Sequence, residues 1–335
     1  MKKIYSLLLV LALVLVLAAC GSSNDKESGN GNEEAGNTEA NNSNEGSENT
    51  GNTEANGEES EGTRPETLVM GFVPSQDSDT IADTVEPLAK KLGEELGIEV
   101  KGEVMTNYNA LVEAMGANQV HIGFIPAFGY VLANEQYGVE VILKSERYGS
   151  GSYKAQYIVR ADDDIETLAD LEGKIWAYGD ATSTSGYLFP ANQLMEEFDI
   201  ESTTALENEF FSGSVQTGGH DNSAIEVYEG GADVATTFDD ARTEIEDEYP
   251  DVMDKLTILG YTDEIPNDTI SVTKELDDAF VQEIKETFLS FNDDEDMIEI
   301  MKEVYNWDAI IEATDDEYQV VKDTYSKFKD TVGLD

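Results

Sequence analysis

The chain is poor in positive charge and nearly devoid of cysteine and histidine. Lys and Arg number 20 against 71 Asp and Glu, a formal net charge of −51 over 335 residues. An acid excess of that size argues against nucleic acid or an anionic lipid surface as a partner, since both are polyanions. A single cysteine excludes an internal disulfide framework. With two histidines beside it, the sequence offers no cluster at metal-ligand spacing, so no metal and no cofactor is expected, and no G-x-S-x-G elbow marks a hydrolase nucleophile. From residue 21 to 64 there is no Leu, Ile, Val, Phe, Tyr or Trp. That stretch cannot bury enough apolar surface to offset the entropy of ordering, so it is expected to be a disordered, self-repelling tether with a coil span on the order of 35 Å. No repeat of solenoid period is present.

What the chain does have begins with MKKIYSLLLVLALVLVLAAC. Lys2 and Lys3 precede an apolar run, Leu7 to Leu17, that is too short to span a bilayer permanently, so residues 1–19 read as an export signal. Leu17-Ala18-Ala19-Cys20 resembles the lipobox of bacterial lipoproteins. The resemblance implies that Cys20 becomes a lipid-bearing terminus, placing the protein outside the cytoplasm and holding it to the cell membrane through residues 20–64. Stable anchoring needs more than one acyl chain. Residues 65–335 are ample for a large core and more natural as two lobes than one.

Through that part strand-like runs alternate with helix-like ones. TLVMGFVP reads as a strand, and the following DTIADTVEPLAKKLGEEL carries Ile81, Val85, Leu88, Leu92 and Leu96 at helical spacing. IEVKGEVM, VHIGFIP, KIWAYG, ADVATTF and KLTILG continue the pattern, so an α/β fold with helices covering largely parallel sheets is expected, followed from about Lys274 by an almost wholly helical end. His121, inside VHIGFI, reads as a strand residue.

GDATSTSGYLFP places hydroxyls without any Lys or Arg between a strand and a helix. If Ser185 or a neighbour caps that helix, its first amides point outward with the positive end of the dipole behind them. Ser183, Thr184 and Ser185 add hydroxyl donors, and Gly186 lets a ligand approach the backbone, a nest suited to a tetrahedral oxyanion. Pro190 sits late for a first-turn proline. In QTGGHDNSAIEVYEGG, His220 stands at another helix start, with Asp221 or Asn222 as the expected cap. Tyr108, where NYNALVEAM begins a helix, offers a hydroxyl beside further free amides.

IETLADLEGKIWAYGDATSTSGYLFP and ALVEAMGANQVHIGFI resemble type II periplasmic binding proteins. Taken with GGHDNSAIEVYEGGADVA and IPNDTISV, they resemble more narrowly the phosphonate-, phosphite- and phosphate-binding lipoproteins of ABC importers. The resemblance implies two α/β lobes joined by two crossover strands near 157–161 and 268–273. Lobe 1 would then comprise 65–160 with 271–335, and lobe 2 would be 161–270. It implies a binding protein and no enzyme, closing on a small phosphorus oxyanion and meeting an ABC permease. It also carries over Tyr153 as a second cleft tyrosine, and Asp221, Asp240 and Asp268 as acids. Carboxylates beside an oxyanion require a ligand that brings a proton or an ammonium group, which favours a phosphonate, an aminoalkyl one included, over phosphite or phosphate and rejects sulfate. An exported hydrolase using Ser183 or Ser185 with His220, or a tethered sensor of another small anion, are the competing readings. The global charge is a weak obstacle, because screening acts over about 8 Å at physiological ionic strength.

Overall fold

The computed structural model describes residues 62–327 and 329, so the expected signal 1–19, Cys20 and all but the last residues of the 20–64 tether lie outside the described residues. Thr63 and Arg64, assigned to the tether, belong to the folded part. Thr63 bridges to Leu276, and Arg64 pairs with Glu283 at 2.6 Å.

The chain runs β1 (Thr67–Phe72), α1 (Ser78–Leu96), β2 (Glu99–Val104), α2 (Tyr108–Gly116), β3 (Ile122–Ile125), α3 (Ala127–Tyr137) and β4 (Glu140–Glu146). It continues through β5 (Ser152–Arg160), β6 (Ile175–Tyr178), α4 (Phe189–Glu197), the short α5 (Thr203–Ala205), β7 (Gly213–Gln216), α6 (His220–Glu229), β8 (Val234–Phe238), α7 (Val252–Lys255) and β9 (Leu256–Pro266). It closes with β10 (Thr269–Val272), α8 (Asp278–Ser290), α9 (Glu295–Tyr305), β11 (Ala309–Glu312) and α10 (Gln319–Ser326). Two sheets result, in the orders β11-β4-β10-β3-β1-β2 and β7-β6-β8-β5-β9.

Both sheets are mixed, which corrects the expectation of largely parallel ones. β1 runs parallel to β2 and β3, and β6 to β7 and β8, as strand-helix alternation dictates. The strands that carry the chain between lobes run against their neighbours: β5 is antiparallel to β8 and β9, and β10 to β3 and β4. The C-terminal part is likewise less helical than expected. Ala309–Glu312 adds β11 to the edge of the first sheet, pairing antiparallel with β4.

The apolar spacing of α1 is realised: Ile81, Val85, Leu88, Leu92 and Leu96 are all buried. In the second sheet, alternate residues face opposite cores. Tyr157, Val159, Trp176 and Tyr178 point into one, and Ile158, Ala177 and Ala235 into the other. Trp176 is fully buried, stacks on Tyr187 and Phe211, and donates to the Thr236 hydroxyl at 2.8 Å, which satisfies its one polar atom.

Because β5 lies wholly in the second sheet, the chain changes lobes at 147–151, and it returns at 267–268, not at the 157–161 and 268–273 expected. Residues 152–160 thus belong with lobe 2. The outbound passage is a tight turn in which Arg147 and Ser150 exchange both backbone hydrogen bonds at 3.0 Å. Tyr148 and Gly149 sit there at φ 53 and 72, the left-handed pair that such a two-residue turn requires. The return passage is stitched to it by Asn267, whose amide donates to Ser145 O at 3.0 Å and Ser150 O at 2.8 Å.

Candidate functional site

Between the lobes lies a small cavity of about 20 Å³. Ser75, Tyr108, Pro126 and Tyr305 line it from lobe 1, and Tyr153, Ser183, Ser185, His220 and Phe238 from lobe 2. The two passages contribute one residue each, Arg147 and Asp268.

The hydroxyl turn forms as its sequence suggests. Ser183, extended at φ −75 and ψ 133, is the N-cap, its Oγ accepting from Gly186 N at 3.0 Å. The next five residues, Thr184–Leu188, form a π turn that leads directly into α4. Pro190 explains why. It has no N–H to give to Gly186 O four residues back, and the Thr236 hydroxyl takes that acceptor instead at 2.5 Å. Gly186 serves its neighbours more than a ligand, since a Cβ there would meet Ser183 Oγ at 2.9 Å and His220 Cε1 at 3.3 Å.

Ser183 and Ser185 face the cavity; Thr184 does not. Its hydroxyl accepts from Phe128 N at 2.9 Å, so it caps the start of α3 across the interlobe boundary. Another cross-lobe bond joins His220 N to Ser75 O at 2.9 Å. These contacts hold the lobes closed over the cavity.

His220 opens α6, but the cap is Gly219, not Asp221 or Asn222. The imidazole is buried, lies edge-on to Phe238 at 4.9 Å, and places Nε2 3.4 Å from Ser183 Oγ. Burial first, then the positive field of Arg147, push its pKa down to about 3, so the ring is neutral. Tyr108, the first residue of α2, and Tyr153, on β5, both reach the cavity, and burial raises the pKa of each phenol, keeping both as neutral donors.

The acids divide. Asp268 lines the cavity and has its pKa raised by burial, with Arg147 pulling it back. Asp240 is outside the cavity lining, because it adopts the left-handed region at φ 59 and its carboxylate pairs with Arg242 Nε at 3.1 Å. Asp221 is also outside it. As the second residue of α6 its carboxylate stays by the helix start, where burial raises its pKa and backbone amides lower it.

Sequence reasoning missed Arg147, which adds a buried cation to a lining expected to consist of hydroxyls, amides, an imidazole and acids. Lys144 and Arg147 are the two buried cations among the described residues. Lys144 pairs with Glu317 at 2.5 Å, whereas Arg147 makes no ion pair among the described residues. Its guanidinium lies 5.0 Å from the Phe238 ring and 5.8 Å from that of Tyr153, and its Nε is buried without a hydrogen-bond partner. The signal available was ERYGSGS, a polar turn between two strand-like runs, but nothing local says that its arginine turns inward. Asp180 was also missed. Its Oδ1 accepts from Thr182 N at 2.8 Å and Thr182 Oγ1 at 2.6 Å, fixing the loop that presents Ser183.

Two α/β lobes joined by paired passages, with a cavity of hydroxyls, an imidazole and one guanidinium between them, define a two-lobed solute-binding protein. Residues 70–318 match the sequence model of the family described as ABC transporter, phosphonate, periplasmic substrate-binding protein. The chain belongs to that family, whose members are extracytoplasmic substrate-binding proteins. Among curated relatives, the phosphate-import protein PhnD of Mycolicibacterium smegmatis is 31% identical over 180 residues, covering 52% of this chain and 56% of that protein. The phosphonates-binding periplasmic protein of Escherichia coli is 23% identical over 229 residues, covering 67% and 66%. The matched stretches thus span a little over half to about two thirds of these relatives. The fold matches that of PhnD1 from Prochlorococcus marinus in complex with methylphosphonate, with a TM-score of 0.68, 21% identity, and 79% of this chain and 98% of that one covered.

Proposed function

We propose that this chain is the extracytoplasmic receptor of an ABC importer, tethered to the membrane through a lipid on Cys20, and that it closes on a small phosphorus oxyanion and presents it to a permease. The observation that carries the reading is the convergence of Ser183, Ser185, Tyr108, Tyr153, His220 and an unpaired guanidinium on one closed cavity between the lobes. Hydroxyl donors at a helix start with a buried cation opposite are the chemistry that replaces the hydration shell of an oxyanion. Names borne by the relatives, phosphate import and phosphonate binding, point to the same ligand class.

The hydrolase reading draws on the 3.4 Å approach of Ser183 Oγ and His220 Nε2. It is disfavoured by two features. Ser183 Oγ is already engaged as a cap, and His220 Nδ1 is buried without the acidic partner that would orient a general base.

Calorimetric titration of the purified protein with methylphosphonate, phosphite, phosphate and sulfate tests the proposal. Saturable one-site binding of phosphorus oxyanions, with sulfate weaker and no turnover of a phosphate ester, is expected. A folded protein that binds none of them would overturn it.

A further inference from the structure

We propose that Arg147 contacts the ligand and sets its class: the cavity takes compact tetrahedral phosphorus oxyanions without a cationic tail and discriminates against aminoalkyl phosphonates. The inference rests on the proposed function and narrows it. Four observations carry it.

The first is the state of the guanidinium. It is 6% exposed, it lines the cavity, and its Nε has no partner. Asp268, Asp239 and Glu244 feel its field, yet none lies within 4.0 Å of it. A buried charge left this way is costly unless something supplies its counter-charge, and a ligand oxyanion in the cavity would. Its planar fork suits two oxygens of a tetrahedral anion.

Second, the charge is fixed in place. It grows from the first residue of the tight outbound turn, whose backbone bonds lock its origin, and rests against the rings of Phe238 and Tyr153. A ligand therefore meets a preorganised cation and cannot displace it into water.

Third, only one carboxylate lines the cavity. Asp240 is spent on Arg242, which leaves Asp268 as the one carboxylate in the lining, already under the influence of Arg147. An ammonium entering the cavity would face a guanidinium in a water-poor space, where like charges repel far more than in bulk water.

Fourth, the cavity is small, about 20 Å³, and ringed by side chains from both lobes. Such a space favours a compact tetrahedral head group over one that carries an aminoethyl chain.

The test is competitive calorimetry on the intact protein with methylphosphonate, phosphate and 2-aminoethylphosphonate, repeated for Arg147→Gln and Arg147→Lys. Wild type should bind the two tail-less ligands at least tenfold more tightly than the aminoethyl one. Arg147→Gln should weaken the tail-less ligands about a hundredfold while narrowing or reversing the preference, as expected for removing one partner of a buried charge pair. Arg147→Lys, which keeps the charge but loses the fork, should fall between. Thermal melts without ligand separate binding from folding: Arg147→Gln should melt no lower than wild type, since it removes an unpaired buried charge, but should lose the ligand-induced rise. Wild type that binds 2-aminoethylphosphonate as tightly as methylphosphonate, or Arg147→Gln that binds methylphosphonate within twofold of wild type, would overturn the inference while leaving the receptor function intact. Wild type that binds no phosphorus oxyanion would instead sink the receptor reading, and this inference with it.

Discussion

On the outer face of α9, Glu295, Asp296, Glu299 and Glu303 stand exposed within three turns, whereas the cavity between the lobes is lined by a single cation and a single carboxylate. Exposed acids of the first kind make up most of what a composition count registers and contribute very little binding energy, because each keeps its water and is screened within about 8 Å. The second contributes almost nothing to composition and, in the function proposed above, dominates recognition, because neither charge can be fully hydrated. Net charge therefore describes the surface of this protein and misdescribes its site. Predictions that sharpen the contrast should show large effects from cavity residues and small ones from the bulk charge.

The largest effect in this set is expected from Ser183→Ala. The change removes a donor that faces the cavity and the side-chain oxygen that accepts from Gly186 N at 3.0 Å. Loss of the cap should cost about 1 kcal/mol of stability. Ligand affinity should fall on the order of thirtyfold to a hundredfold, since a donor aimed at an anion in a closed site is worth more than a neutral hydrogen bond. Denaturant melts and calorimetry read the two quantities separately. A variant that loses stability but keeps full affinity would reduce Ser183 to a helix cap.

Next comes the imidazole. His220 is buried, with its pKa pushed from the ordinary 6.5 to about 3. Between those values the unfolded chain binds a proton that the folded one refuses, so this group's contribution to stability is full above pH 6.5 and is lost as pH falls toward 3. At pH 5 the loss is about 2 kcal/mol. Asp268, Asp239 and Asp221, whose pKa values are raised by burial, work in the opposite sense and favour the folded state as pH falls. The clean measurement is therefore a difference. Urea melts of wild type and His220→Gln at pH 7 and pH 5 should show wild type losing roughly 2 kcal/mol more than the variant over that interval. Parallel losses would mean that the ring is not held neutral in the folded protein.

What the sequence makes legible follows the same divide between local and long-range causes. The spacing of Ile81, Val85, Leu88, Leu92 and Leu96 needs only a helix and one core, and it was legible. The clustering of Ser183 and His220 was also legible, because each sits at a helix start and strand-helix alternation brings such starts to one edge of a sheet. Which of the neighbouring hydroxyls is the cap was left open, since the π turn that accommodates Pro190 depends on Thr236, a partner 50 residues away. Asp240, expected in the cleft, lies outside the lining, because its pairing with Arg242 depends on a left-handed backbone that no spacing rule reveals. Arg147 was invisible for a related reason. Its side-chain direction is decided by where the chain leaves one sheet for the other, and that point was itself placed about ten residues too late.

The smallest expected effect is that of salt on affinity. With the site closed and its charges compensated locally, raising ionic strength from about 0.02 to 0.5 M should change the equilibrium affinity for a small oxyanion by no more than about threefold. The association rate should respond more, and upward, because an anion approaching a chain of net charge −51 is repelled over a screening length that salt shortens. Stopped-flow association at several salt concentrations, set beside calorimetry under the same conditions, reads both. If affinity holds while association and dissociation rise together, the surface acids act only as a barrier to encounter. If affinity instead falls steeply with salt, the field of Arg147 reaches solvent, and the cavity is more open than its burial implies.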